Sequence, residues 1–181
     1  IIAHSFLQGK APLPHRLTVD APDLLGKRRA ILVPAVRYAR AVAFLFEKLS
    51  DIYTPVALRH PEDKHCFTPI LYRPDRFELI EGGSELYRSR GTDTKSMAWA
   101  VLADKKSGKK LALINSHGSL ILKTYNLDAT NAVEGEMWRV DNVCQMLEKK
   151  DELREKYGAA LPVFVTGDFN SHPHRESIQN M

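Results

Sequence analysis

Three observations predict an α/β (α+β) fold, with two packed sheets flanked by helices. Strand-like segments follow one another with few helices between them. Two stretches, one early and one late, carry apolar residues at helical spacing. Near the end an apolar run, Val163-Phe164-Val165, breaks at Gly167 into the polar group Asp168, Asn170 and Ser171, as a buried strand does when it delivers side chains to a site. With 181 residues, 44% hydrophobic and 27% charged, the chain has enough material for one core and no need of two, so residues 1–181 are read as a single domain.

Residues 9–27, rich in proline, glycine and charge, read as loop, and Ile31–Val33 as a short buried strand stopped by Pro34. From Ala41 the set Val42, Leu45, Phe46, Leu49 and Ile52 returns at helical spacing and predicts a helix over Ala41–Asp51. Strands are predicted at Phe67–Tyr72, Phe77–Ile80, Met97–Ala103 and Leu111–Ser116. Tyr72-Arg73-Pro74-Asp75-Arg76 reads as the tight turn of a hairpin between the first two, because proline and aspartate preset a turn. Lys105, Lys106, Lys109 and Lys110 fall at the connection of the last two and read as a solvated tip. A helix follows over Glu134–Tyr157, with Val140, Val143, Cys144 and Leu147 on its apolar face, so that Cys144, like Cys66, is expected in the core. Val163, Phe164 and Val165 are β-branched or aromatic and follow a proline, which predicts a strand buried on both faces.

Leu111, Leu113, Asn115 and His117 share one strand face, which runs from apolar to polar and so passes from core to rim. Asp168 and Asn170 are two apart, and wherever the chain stays extended their side chains leave on the same side. A carboxylate there can hold a hard cation or orient water, and an amide can donate to a phosphoryl oxygen. The plainer alternative is an Asx turn, with both residues bonding backbone. His172-Pro173-His174 is favoured as exposed loop over metal ligand.

The segment Gly167-Asp-Phe-Asn170 resembles a signature of the endonuclease/exonuclease/phosphatase superfamily, the deoxyribonuclease-I-like phosphoesterases. Lys110 to His117 is similar to that family's strand ending in Asn-Thr-His, Trp138-Arg139 stands where the family carries an arginine, and Thr68 to Ile80 resembles its Tyr-Arg-x-Asp-Arg-Phe segment. The resemblance covers Phe44 to Ser171 and implies an α/β sandwich of two mixed sheets, here incomplete at both ends, with residues 1–40 poorly matched. It also implies metal-dependent phosphodiester or phosphomonoester hydrolysis with Mg²⁺ or Mn²⁺. By the same resemblance Asp168, Asn170 and His117 are catalytic, Asp168 and Asn170 hold the metal, and Asn115 and Ser171 contact substrate.

Two departures limit the transfer. The family's early Leu-Gln-Glu, whose glutamate is a principal metal ligand, has no counterpart: Leu24 to Phe46 contains no Asp, Glu, Asn or Gln, and Phe6-Leu-Gln-Gly9 ends in glycine. The family's closing aspartate-histidine pair, which supplies the base, is also missing from a chain that stops at Met181. A second reading is therefore a catalytically dead fragment or a binding module that retains the fold, and a third is a piece of a longer product. The formal charge of +4 suits polyanions, nucleic acid among them, without selecting one. No apolar run spans a bilayer, and because the chain opens at Ile1 a removed targeting signal stays open. The loops Gly118–Asn131 and Arg59–His65 show no recognition pattern; the former, next to His117, is expected to face substrate.

Overall fold

A computed structural model describes residues 44–57, 60–62, 67–88, 95–119 and 129–181. The expected loop at 9–27, the strand at 31–33, the stretch 1–40, Cys66 and most of the loops around 59–65 and 118–131 lie outside them. The chain divides into two compact units, Ile1–Asp51 and Ile52–Met181. In the first, residues 44–49 are helical, inside the helix expected there.

In the second unit, β1 (Thr54–Pro55) and β2 (Leu71–Tyr72) pair antiparallel. A four-stranded mixed sheet has the order β3 (Phe77–Leu86), β4 (Ser96–Asp104), β5 (Lys110–His117) and β6 (Val163–Asp168). Its first two pairings are antiparallel, and β5 and β6 run parallel. The parallel pair needs a crossover. That crossover contains α1 (Ala129–Tyr157), and a short helix, α2 (Glu176–Gln179), follows β6.

Strand β4 explains the layering. Every residue from Ser96 to Leu102 is buried, because alternate side chains enter two different cores. Met97, Trp99 and Val101 join Ala112, Ile114, Val143, Met146 and Leu153 beneath α1. Ala98, Ala100 and Leu102 face the other way and meet Ile70, with Val56, Tyr72, Leu111 and Leu113 around them. The sheet is thus covered by a helix on one face and approached by the β1–β2 pair on the other.

Four expectations need correction. The turn at Arg73–Arg76 is tight, with the Phe77 N–H donating to the Arg73 carbonyl at 2.8 Å, but it does not close a hairpin. β2 pairs with β1 and β3 with β4, so the turn passes the chain from one sheet to the other. Strand β3 runs on to Leu86, past a bulge between Leu79 and Glu81, because Gly82 and Gly83 continue the ladder opposite Ala100 and Trp99. Strand β6 is not buried on both faces. Val163 and Val165 pack toward α1, whereas Phe164, opposite Leu113 on the other face, is 51% exposed.

Cys144 is the fourth case, exposed and not in the core. The buried stripe of α1 runs through Asn142, Val143, Gln145, Met146, Lys149 and Leu153, which turns Cys144 outward. The polar members of that stripe are all satisfied. Gln145 accepts from the Arg88 N–H at 3.0 Å and donates to the Leu86 carbonyl at 2.8 Å. Lys149 pairs with Glu85 and Glu152 and lies over the Trp99 ring, 4.9 Å from its centroid. Among the described residues, no helix is long and apolar enough to cross a membrane.

Candidate active site

The parallel register of β5 and β6 builds the site. Its pairs run from Ala112 opposite Val163 to Asn115 opposite Thr166, Ser116 opposite Gly167 and His117 opposite Asp168. Partners in a parallel pair project to the same face on strands about 4.8 Å apart. His117 and Asp168 therefore end side by side on the face turned away from α1. Asn115 lies one pleat deeper on that face and donates to the Pro69 carbonyl at 3.0 Å, which ties the strand to the segment leading into β2.

Gly167 makes this register possible. Its φ of +143° lies where side chains are strained, and a Cβ there would meet the Ser116 carbonyl oxygen at 2.0 Å. Ser116 is itself fixed from the helix side, where its hydroxyl pairs with that of the fully buried Tyr87. Burial pushes the Tyr87 phenol far above its ordinary value, so it stays protonated and remains able to donate.

Beyond Asp168 the chain leaves the extended path. Asn170 has φ of +50°, and its N–H donates to Asp168 Oδ1 at 3.0 Å, closing an Asx turn. The Asn170 side chain consequently does not follow Asp168 as an extended strand would require. It crosses to the neighbouring strand end and donates to the Gly118 carbonyl at 2.8 Å. Gly118 in turn donates its N–H to the Asp168 carbonyl at 2.7 Å, and a Cβ on it would approach the Phe169 carbonyl oxygen at 2.6 Å. Two glycines thus let the ends of β5 and β6 close on each other.

The Ser171 hydroxyl lies 2.8 Å from that of the buried Ser177. The Ser177 N–H donates to Glu136 Oε1 at 2.9 Å, and Glu136 pairs with Arg139 at 2.8 Å. On the other strand end, Asn142 Oδ1 accepts both the Ser119 N–H at 3.1 Å and the Ser119 hydroxyl at 2.9 Å. A small cavity lies between these groups, lined by Gly118, Arg139, Asn142, Met146, Phe169 and Ser177. Sequence reasoning singled out Arg139 but not Glu136, Asn142 or Ser177. Opposite charges three apart on a helix were the available signal for Glu136, and nothing local marked the other two.

His172 and His174 are exposed and stack with centroids 5.6 Å apart, as the loop reading expected. The lysine-bearing turn lies at the opposite end of β5 from His117 and is exposed; Lys105 donates to the Pro74 carbonyl at 2.6 Å. Among the described residues, no three His, Cys, Asp or Glu side chains converge as a metal cage. At the strand ends lie one carboxylate, Asp168, whose Oδ1 accepts the Asn170 N–H, and the Asn170 amide, whose nitrogen donates to the Gly118 carbonyl; carboxylate and amide oxygens are of the hard kind that a magnesium-type ion takes.

No protein-family model matches the sequence, and neither does any curated protein. Solved structures do match. An endonuclease/exonuclease/phosphatase family protein from Bacteroides thetaiotaomicron superimposes with a TM-score of 0.59 at 23% identity, over 78% of this chain and 50% of that one. The chain has the endonuclease/exonuclease/phosphatase fold. A mannosyl-6-phosphatase from the same organism gives a TM-score of 0.60 at 23% identity, over 78% and 51% of the two chains. Danio rerio TDP2 in complex with a single-stranded DNA product gives 0.51 at 18% identity, over 77% and 47%. The chain thus spans about half the length of the structures it matches in this fold.

Proposed function

We propose that the ends of β5 and β6 form part of a phosphoester-hydrolysing centre. The observation that carries this reading is the His117–Asp168 register, closed by the bond from Asn170 to Gly118. It brings an imidazole, a carboxylate and an amide to one edge of a rigid sheet, on a fold whose neighbours include a phosphatase and a DNA complex. In this reading Asp168 orients the attacking water. His117 donates to the phosphoryl oxygens, and the Asn170 amide, which carries a second N–H besides the one given to Gly118, donates there as negative charge grows. Ser171 and Asn115 bound the substrate side. Mg²⁺ or Mn²⁺ would be held by Asp168 and Asn170 and would supply charge neutralisation. The substrate class is a phosphate ester, with nucleic acid among the candidates. The single domain covering 1–181 is proposed as one part of a longer sandwich.

The alternative, a binding module that keeps the fold without turnover, draws on the same two hydrogen bonds. Asp168 Oδ1 and the Asn170 amide both serve the turn, as they would in a purely structural strand ending. Hydrolysis of an aryl phosphodiester with Mg²⁺ or Mn²⁺, beside a chelator control and Asp168→Ala, separates the two. Turnover that requires both metal and Asp168 is expected. Turnover unaffected by Asp168→Ala, or none from folded protein, would overturn the assignment. Mn²⁺ binding followed by paramagnetic broadening of the Asn170 and Gly118 amide signals gives a readout independent of activity.

A further inference from the structure

The loops that carry the site residues are held from behind by a single helix. On α1, Glu136 reaches the segment after β6 through Ser177, whose hydroxyl meets Ser171 at 2.8 Å. Two turns of helix later, Asn142 holds Ser119, two residues past His117, through both its N–H and its hydroxyl. The two loops are joined to each other by Asn170 donating to Gly118. These contacts close a ring: helix, first loop, second loop, helix. The anchors are inaccessible, since Asn142, Ser119 and Ser177 are each 1% exposed, and the Glu136 and Arg139 side chains are 14% and 13% exposed. Buried hydrogen bonds of this kind are strong and directional, and leaving one partner unsatisfied is costly.

We propose that Glu136, oriented by Arg139, is a positioning residue that sets Asn170 and Ser171 for phosphoryl contact, while Asn142 sets the His117 side of the same site. The proposal rests on the phosphoester reading for its functional consequence, though not for its geometry. Asn170 is held in the left-handed region, which an asparagine tolerates but does not require, so the surrounding contacts must hold it there. The Glu136–Ser177–Ser171 relay is the nearest such constraint on its C-terminal side. Arg139 holds Glu136 Oε2 with Nε at 3.0 Å in addition to the ion pair, which orients the carboxylate so that its other oxygen, Oε1, faces the Ser177 N–H. A carboxylate without that partner would be free to rotate toward water.

The test compares Glu136→Ala, Glu136→Gln and Gln145→Ala in the full chain by amide hydrogen exchange at Asn170 and Ser177. Inorganic phosphate is then titrated against the Gly118 and Asn170 amide signals. Gln145 lies on the same helix but ties β3, so its loss tests general loosening of α1. Glu136→Ala is expected to speed exchange at Asn170 by about tenfold and to weaken phosphate binding. Glu136→Gln keeps an oxygen for Ser177 and is expected to recover most of both effects. Unchanged exchange at Asn170 in Glu136→Ala, or an equal rise in Gln145→Ala, would overturn the proposal. Should Glu136→Ala fail to fold, Ser177→Ala removes the hydroxyl that meets Ser171 and Glu136 while keeping the backbone N–H bond to Glu136, and is read by the same criteria. Absence of phosphate binding in the unaltered protein would sink the phosphoester reading, while the exchange result still decides the relay.

Discussion

The two faces of the four-stranded sheet are finished differently. Under α1 the surface is closed and partly polar: Asn142, Gln145 and Lys149 are buried, and each ties a strand or loop to the helix. On the opposite face the core is aliphatic beneath β1 and β2 but stops short of β6, where Phe164 stands 51% exposed. His117 and Asp168 sit on this second, less covered face. The comparison teaches a division of labour in which the closed face fixes geometry and the open face presents chemistry. A site needs both, since reactive groups must be reachable and must also be held.

The contrast would break most completely at Gly167, whose backbone packs directly against that of Ser116. A methyl at Gly167 would collide with the Ser116 carbonyl while holding an unfavourable φ. Gly167→Ala is expected to cost at least about 3 kcal/mol and to uncouple β6 from β5 at the His117–Asp168 end. Urea unfolding measures the loss, and amide signals of Gly118 and Asn170 report the uncoupling. A variant as stable as the parent would mean that the strand ends are not held as described.

A sharper form of the comparison substitutes one apolar side chain on each face. Met146, on the sheet-facing side of α1, is 1% exposed, so Met146→Ala is expected to cost roughly 3 kcal/mol in cavity and transfer terms. Phe164→Ser on the open face is expected to cost under about 1 kcal/mol, because half of the ring already meets water. Thermal or urea unfolding of the pair reads the difference. Equal losses would show that both faces are closed.

Much of the fold was legible, and where legibility failed the cause was specific. Strands β4 and β5 and the late helix could be read from periodicity because their apolar residues outnumber every local competitor. The site end was legible too: alternation along Leu111, Leu113, Asn115 and His117 placed His117 on the face it occupies. The rotation of α1 was not legible, since an apolar face drawn through Val140, Val143, Cys144 and Leu147 ignores that Asn142, Gln145 and Lys149 become favourable in the interior once strand ends supply partners. Those partners lie far away in sequence. The hairpin reading of Arg73–Arg76 failed for a related reason: turn chemistry fixes the reversal of the chain but not which strand each arm finds. Asn170 shows the same limit at the site. Its spacing from Asp168 implied a shared direction, and only the left-handed backbone, imposed by contacts with Gly118 and the Asx turn, redirects it.

The smallest effect concerns charge on the closed face. Burial alone would push the Glu136 carboxyl up, but the Ser177 N–H and hydroxyl and the Arg139 guanidinium outweigh it, so the group sits below the ordinary glutamate range. A carboxyl depressed on folding contributes stability that is fully present above its unfolded value, about 4.3, and is lost as pH falls through the folded value. Lys149, at the other end of the buried stripe, has the reverse sign. Burial would push its ammonium down, yet Glu152 and Glu85 raise it above the ordinary lysine value, so its contribution is lost only as pH rises through that raised value. Glu136→Gln is therefore expected to flatten the fall in stability on the acid side of pH 5 and to leave the alkaline limb alone, while Lys149→Met should do the opposite. Urea midpoints measured from pH 3 to 11 check both, and an acid limb unchanged in Glu136→Gln would mean that the carboxylate is not held by Ser177 and Arg139 in solution. On the open face the phenyl ring of Phe164 does not titrate, so Phe164→Ser should shift the whole profile without changing its slope at either end.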